Sequence, residues 1–344
     1  MRFRIGITRD FLRPDGTLSY GDIGLSLFHE NPDVEYEFLA ENSRELRSDQ
    51  VRDYDALLVL APRVTASTLA EAGRLAIIAR FGVGYDTVDV EACTRNVTIL
   101  TIAPDGVRRP VAAAALTLIL ALSHKLLIKD RLTRAGRWAE KLDHLGMGLT
   151  GRTLGVVGAG NIGRELLALA RPLEMRQIVF DPYVSAESVA AIGVELVDLE
   201  SLMREADFVC ICCALTPKTR HLIDKEKIAL MKPTAYLVNM ARGPIVDQKA
   251  LTRALADGRI QGAGLDVFET EPIDPADPIL KLDRVIVSPH ALCWTDECLR
   301  RIGQSACSAI LDVASGRTPR DVVNREVLQD PRLDQRLREL GARR

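Results

Sequence analysis

The sequence lacks a charge imbalance: 45 Lys and Arg stand against 47 Asp and Glu in 344 residues, a formal charge of -2. No broad field therefore draws the chain to DNA, RNA or anionic lipid, and neither a nucleic-acid nor a membrane partner is expected. An apolar leader is missing too, since the opening Met1-Arg2-Phe3-Arg4-Ile5 carries two arginines. The longest apolar stretch, near Val111 to Leu122, is shorter than the roughly 20 residues needed to cross a bilayer. These absences make a cytoplasmic location the expectation. Paired C-x-x-C spacings are absent as well, so zinc and other bound metals are not expected. The seven cysteines are an odd count, and Cys210, Cys212 and Cys213 fall inside one apolar run, Asp207 to Leu215. Reduced thiols acting as small buried apolar groups fit this pattern better than a disulfide framework. No internal repeat at solenoid or propeller spacing is visible.

What remains is an ordinary globular composition, 47% apolar and 27% charged, in a chain about two domains long at roughly 150 residues per domain. Short β-type runs (Phe3 to Thr8, Val34 to Phe38, Ala56 to Leu60, Leu75 to Arg80, Thr98 to Leu100) alternate with helix-like segments at Ser43 to Arg47, Thr65 to Gly73 and Asp89 to Arg95. That rhythm predicts a parallel sheet covered by helices. A long apolar helix is expected over Val111 to Leu127, followed by a polar, Gly-punctuated stretch from Arg134 to Gly151. A second α/β series then offers six strands: Thr153 to Val157, Gln177 to Phe180, Phe208 to Cys213, Ala235 to Asn239, Gly262 to Val267 and Val285 to Ser288. Six is the count of a full dinucleotide-binding sheet. A helix over Asp296 to Gly316 and a charged tail ending at Arg344 complete the expectation.

The strand ending at Val157 runs into Gly158, Gly160 and Gly163 at G-x-G-x-x-G spacing, and an amphipathic helix follows. The three glycines serve different ends. The first makes a tight turn, the second admits a pyrophosphate, and the third lets helix and strand pack closely. The pyrophosphate would sit on free N–H groups at the positive end of the helix dipole. Asp181, 18 residues after Gly163 at the end of the next strand, can accept hydrogen bonds from an adenosine ribose. Its carboxylate repels a 2′-phosphate, and residues 182–185 supply no arginine to neutralise one, so NAD is favoured over NADP.

Three downstream segments each place a polar side chain at the carboxyl end of a strand, the edge where open α/β sheets bind ligands. They carry Arg242, Glu271 (immediately before Pro272) and His290. With the stretch from Phe81 through Gly84 to Asp89, these motifs span about 60% of the chain in a fixed order. They resemble the D-isomer-specific 2-hydroxyacid dehydrogenase family, which includes phosphoglycerate, glyoxylate/hydroxypyruvate and D-lactate dehydrogenases. The resemblance implies two doubly wound parallel-sheet domains, with a Rossmann NAD-binding domain (residues 106–291, including a dimerisation helix) inserted into a flavodoxin-like substrate domain (1–105 and 292–344). It implies a homodimer and hydride transfer between NAD and C2 of a small 2-hydroxy or 2-keto acid. His290 would be the general acid/base, Glu271 rather than Glu269 its carboxylate partner, and Arg242 the group binding the substrate carboxylate and polarising the C2 oxygen. Val83 and Gly84 would form a second carboxylate cradle, and Asp266 would hold the nicotinamide carboxamide. The same match adds Asn161, Ile162, Cys213, Thr216 and Ala241 to the cofactor set.

The sequence departs from the family at several points. Arg108 and Arg109 replace the usual glycine-asparagine loop and acidic helix start, and they are candidates for binding a second anionic group on the substrate. Ala291 to Thr295 lack the usual glycines, Cys212 stands where relatives often carry histidine, and Leu60 to Arg63 offer no clear counterpart of a phosphate-binding arginine. Phosphoglycerate is therefore not the first-choice substrate. Two other readings stand beside the dehydrogenase. One is an NAD-sensing corepressor of the same fold; the other is a formate dehydrogenase relative, against which the carboxylate of Glu271 argues, since those enzymes usually carry glutamine there.

Overall fold

The structure is a computed structural model that describes residues 2–342. Met1, Arg343 and Arg344, and with them the end of the expected charged tail, lie outside the described residues. The chain divides into two units, one built from residues up to Val107 together with those from Trp294 onward, the other from Arg108–Cys293.

In the first unit, β1 (Phe3–Ile7), β2 (Val34–Phe38), β3 (Ala56–Val59), β4 (Ile77–Arg80) and β5 (Ile99–Thr101) form an all-parallel sheet in the order β2-β1-β3-β4-β5. This is the flavodoxin-like order. Every residue of β3 is buried, as a strand covered on both faces requires. Asp89 caps the helix Val90–Arg95, accepting from the Ala92 N–H at 2.8 Å. Two expected helices differ. Residues 43–47 are not helical: Glu45 pairs with Arg63 as an extended bridge, in which the Leu46 N–H donates to the Arg63 carbonyl at 2.9 Å. That bridge satisfies backbone groups a single helical turn would leave open, and the helix begins instead at Ser48–Val51. The segment from Thr65 is helical only over Ala66–Leu69.

The helix Asp296–Ala314 buries Ile302, Ala306, Cys307, Ile310 and Val313 along one face. Gly303 lies on that face because a Cβ there would stand 2.2 Å from the Ile23 carbonyl oxygen. The chain then returns to a further helix, Pro331–Gly341, where only a charged tail was expected. Leu333, Leu337 and Leu340 are its buried stripe, a four-then-three spacing concealed among charged neighbours. Asn324, fully buried, ties this returning segment to β5: its Oδ1 accepts from Leu100 N–H at 2.9 Å and its Nδ2 donates to the Thr98 carbonyl at 2.9 Å.

The second unit holds β6 (Thr153–Val157), β7 (Arg176–Phe180), β8 (Glu195–Leu196), β9 (Phe208–Ile211), β10 (Tyr236–Asn239), β11 (Gly262–Leu265) and β12 (Val285–Val287), again all parallel. Their order is β12-β11-β10-β9-β6-β7-β8, the doubly wound arrangement, reversing at β6. The sheet has seven strands, not the six expected. The additional one, β8, is two residues at the edge beside β7, too short to show an alternating pattern. The apolar helix is Pro104–Ser123, longer at its start than expected and with Pro110 inside it. Lys125, in the left-handed region at φ +52°, ends it and a separate helix, Leu126–Arg134, follows. By length and composition the first of these could cross a membrane, but 56% of that window is buried in the fold. Gly264 of β11 gives it room, since a Cβ there would lie 3.1 Å from the Leu118 Cβ.

Replacing Asn324 with Ala leaves the Leu100 N–H and the Thr98 carbonyl without their side-chain partner in the core. Each unmade bond of this kind costs about 1–3 kcal/mol. Denaturant unfolding should therefore show a loss of at least about 2 kcal/mol, and an unchanged midpoint would contradict the role given to this side chain.

Candidate active site

Parallel strands place all their carboxyl ends along one edge, and the predicted site residues of the second unit follow those ends. At the end of β6, Gly158 turns the chain at φ +106°, a conformation L side chains avoid. A Cβ there would also stand 2.7 Å from the Cys213 nitrogen. At Gly163 a Cβ would fall 2.0 Å from the Gly158 carbonyl oxygen, so the helix Asn161–Ala170 can dock on its strand only with glycine there. Gly160 caps that helix, has open space where its Cβ would be, and leaves the N-terminus without a side-chain cap. Uncapped N–H groups beside open space fit a pyrophosphate.

Asp181, after β7, accepts from the Ala159 N–H at 2.8 Å through Oδ2 and from the Tyr183 N–H at 2.9 Å through Oδ1. It thus braces the glycine turn while keeping its charge beside it. Cys213, after β9, is half-buried, and burial pushes its thiol up to about 12. Thr216 is exposed, its turn closed by a 2.7 Å hydrogen bond from its N–H to Thr219 Oγ1. The Cys210 and Cys212 sulfurs lie 3.9 Å apart.

The triad candidates follow β10, β11 and β12, three consecutive strands of the sheet. Arg242 and Ala241 are held by buried Asn239, whose Oδ1 accepts from Ala241 N–H and whose Nδ2 donates to the Arg242 carbonyl, both at 3.0 Å. Asn239 was not singled out from the sequence, although an Asn closing a buried strand is a visible signal. Glu271 Oε1 accepts from the Phe268 N–H at 2.9 Å, and its Oε2 lies 2.8 Å from His290 Nδ1. Burial pushes the Glu271 carboxyl up, but the His290 hydrogen bond and charge, the Phe268 N–H and the charge of Arg242 outweigh it and hold the group below its ordinary value. His290 and Arg242 therefore both favour the charged form of Glu271.

His290 occupies the left-handed region at φ +54°, uncommon for a residue with a side chain. Asp266, also buried, sustains that segment: its Oδ1 accepts from the Ser288 hydroxyl at 2.6 Å and the Ala291 N–H at 3.0 Å. Val83 and Gly84 belong to the other unit, where Arg80 Nε donates to the Gly84 carbonyl at 2.8 Å. Arg108 and Arg109 both meet Glu165 of the fingerprint helix, at 3.5 and 2.8 Å.

Residues 116–291 match the family described as D-isomer specific 2-hydroxyacid dehydrogenase, NAD binding domain. A glyoxylate reductase of Korarchaeum cryptofilum is 37% identical over 311 residues, 89% of this chain and 94% of its own length. A D-3-phosphoglycerate dehydrogenase of Methanocaldococcus jannaschii is 40% identical over 82% of this chain but only 54% of its own, longer, sequence. Among solved structures, a D-lactate dehydrogenase of Aquifex aeolicus complexed with NAD and lactic acid superposes with a TM-score of 0.80 at 26% identity, covering 94% of this chain and 97% of that one.

The family match and these relatives make the chain an NAD-dependent oxidoreductase acting on a CH–OH donor. The chain belongs to the D-isomer specific 2-hydroxyacid dehydrogenase family, and NAD is its cofactor.

The position of Asp181 gives a test of cofactor choice. Asp181→Ala removes the charge that would oppose a 2′-phosphate and should narrow the ratio of catalytic efficiencies for NAD over NADP. A wild-type preference for NADP would contradict this reading of the carboxylate.

Proposed function

We propose that the protein interconverts a short D-2-hydroxy acid and its 2-keto acid, with His290 as general acid/base, Glu271 as its partner and Arg242 as the substrate-binding cation. The observation carrying this reading is the 2.8 Å contact between His290 Nδ1 and Glu271 Oε2 beside the charge of Arg242. NAD(H) bound at the glycine turn would supply or accept the hydride at C2. With Nδ1 turned to the carboxylate, Nε2 of His290 is the atom left to give a proton to the C2 oxygen as the keto acid is reduced, and to take it back in oxidation. Glu271 fixes the tautomer and stabilises the imidazolium. The Arg242 guanidinium binds the substrate carboxylate and sets positive charge where an alkoxide develops. Asp266, which holds the His290 segment through Ser288 and Ala291, is the residue to hold the nicotinamide carboxamide.

Glyoxylate and lactate name the size of acid that the relatives turn over. Arg108 and Arg109 remain candidates for a distal anion, but both are engaged by Glu165, so a second anionic group would have to displace that carboxylate. Singly charged acids suit this arrangement better. The homodimer has support in five large apolar side chains left exposed within a short stretch: Leu126, Leu127, Trp138, Leu142 and Leu145. A cytoplasmic setting accords with seven free cysteines, of which burial pushes the Cys93 thiol up to about 12. The corepressor reading is separated by one measurement: oxidation of NADH in the presence of glyoxylate, hydroxypyruvate or pyruvate supports an enzyme, and no turnover with any 2-keto acid supports the binding protein.

His290→Ala should lower turnover by about a hundredfold or more while leaving NADH affinity nearly intact, the usual scale of general acid–base catalysis. Keto-acid reduction consumes the imidazolium, so its rate falls as pH rises. Glu271→Gln should move that fall to lower pH, because an imidazolium without its carboxylate gives up its proton more readily. Near-normal turnover in the first variant, or an unmoved profile in the second, would count against these roles. Arg109→Ala should cost singly and doubly charged substrates alike; a loss of about 10-fold or more confined to the doubly charged acid would restore the distal-anion role.

A further inference from the structure

The second unit holds another histidine–carboxylate pair. His221 Nε2 meets Glu269 Oε1; Glu269 stands on the loop that carries Glu271, and His221 on the loop that follows β9. On one side, His221 sits in the left-handed region at φ +50°, and its N–H donates to the Pro244 carbonyl at 2.8 Å. Two residues on, the Ile223 N–H donates to the Ile245 carbonyl at 3.1 Å, and the Asp247 N–H donates back to the Ile223 carbonyl at 3.0 Å. Residues 221–223 therefore run alongside the segment that immediately follows Arg242. On the other side, Glu269 lies two residues before Glu271, and its N–H donates to Gln248 Oε1 at 3.0 Å. The two loops touch: a Cβ at Gly243 would fall 1.9 Å from the Phe268 carbonyl carbon and 2.5 Å from the Glu269 nitrogen. From Phe268 the connection continues through its N–H to Glu271 and from Glu271 to His290.

We propose that His221 is a positioning residue for the reaction: through Glu269 it pins the Glu271 loop against the Arg242 loop and so sets the distance between the carboxylate-binding guanidinium and the acid/base pair. The proposal rests on the roles given above to Arg242, Glu271 and His290. Stability alone is a poor account of the pair, because His221 is 44% and Glu269 26% exposed, and ion pairs this open add little to folding. Alignment is a better one. Both loops leave the ends of neighbouring strands, and without the His221–Glu269 contact their separation depends on the close packing at Gly243 and the hydrogen bond from Glu269 N–H to Gln248. A displacement of about 1 Å at a reacting centre can cost on the order of a hundredfold in rate.

The test compares His221→Ala, Glu269→Ala, the double variant and His221→Gln in keto-acid reduction. Each alanine variant should lose about 10- to 100-fold in kcat, with NADH dissociation constant and unfolding midpoint close to wild type. The double variant should be no worse than either single one, since all three remove the same link. Glutamine, which still offers an N–H to Glu269, should recover most of the loss. Wild-type-like kcat in the alanine variants overturns the proposal, and so does a loss accompanied by weakened NADH binding or not relieved by glutamine, which marks a structural role. If the wild-type protein reduces no 2-keto acid, the functional reading itself fails and takes this proposal with it.

Discussion

The common direction of β10, β11 and β12 is the constraint on which the rest of the site depends. Three neighbouring strands running the same way deliver three loops to one edge, so residues 242, 271 and 290, far apart in the chain, need only short excursions to meet. The cofactor turn after β6 lies on the same edge of the same sheet. A parallel sheet must be buried on both faces, and its apolar strands supply the rigidity this edge needs. Loops alone could not hold Glu271 and His290 in register.

Electrostatics then decides what the meeting produces. Burying Glu271 disfavours its charge, yet His290, the Phe268 N–H and Arg242 together more than offset that cost. The carboxylate stays ionised because the residues that need it charged are the ones around it. Its pairing with His290 therefore persists into more acidic solution than a solvated carboxylate would allow, and weakens only as pH falls through the lowered value.

Much of this was legible in the sequence where local chemistry and periodicity coincide. Three glycines at fixed spacing after an apolar run, and an acid at the next strand end, mark a turn whose geometry leaves little freedom; the structure puts Gly158 at φ +106° and leaves no room for a side chain at Gly163. What escaped was governed by distant partners. Residues 43–47 look helical until Arg63 pairs with them. The helix Pro331–Gly341 hides three leucines among charges, and the two residues of β8 carry no pattern at all. Among polar residues, Asn239 and His221 could not be ranked, because their importance lies in which backbone they face after folding. Glu269 and Glu271 were separable only through the family motif; in the fold they face different histidines.

The shared partner of Arg108 and Arg109 bears on how the substrate range of such a chain can change. One carboxylate, Glu165, engages both guanidinium groups beside the cofactor helix. If a doubly charged acid is read by these two arginines, the cations it requires are already present and neutralised in place. On that reading, acquiring the specificity calls for the loss of a single negative charge rather than the gain of a positive one, a shorter mutational route than rebuilding the loop.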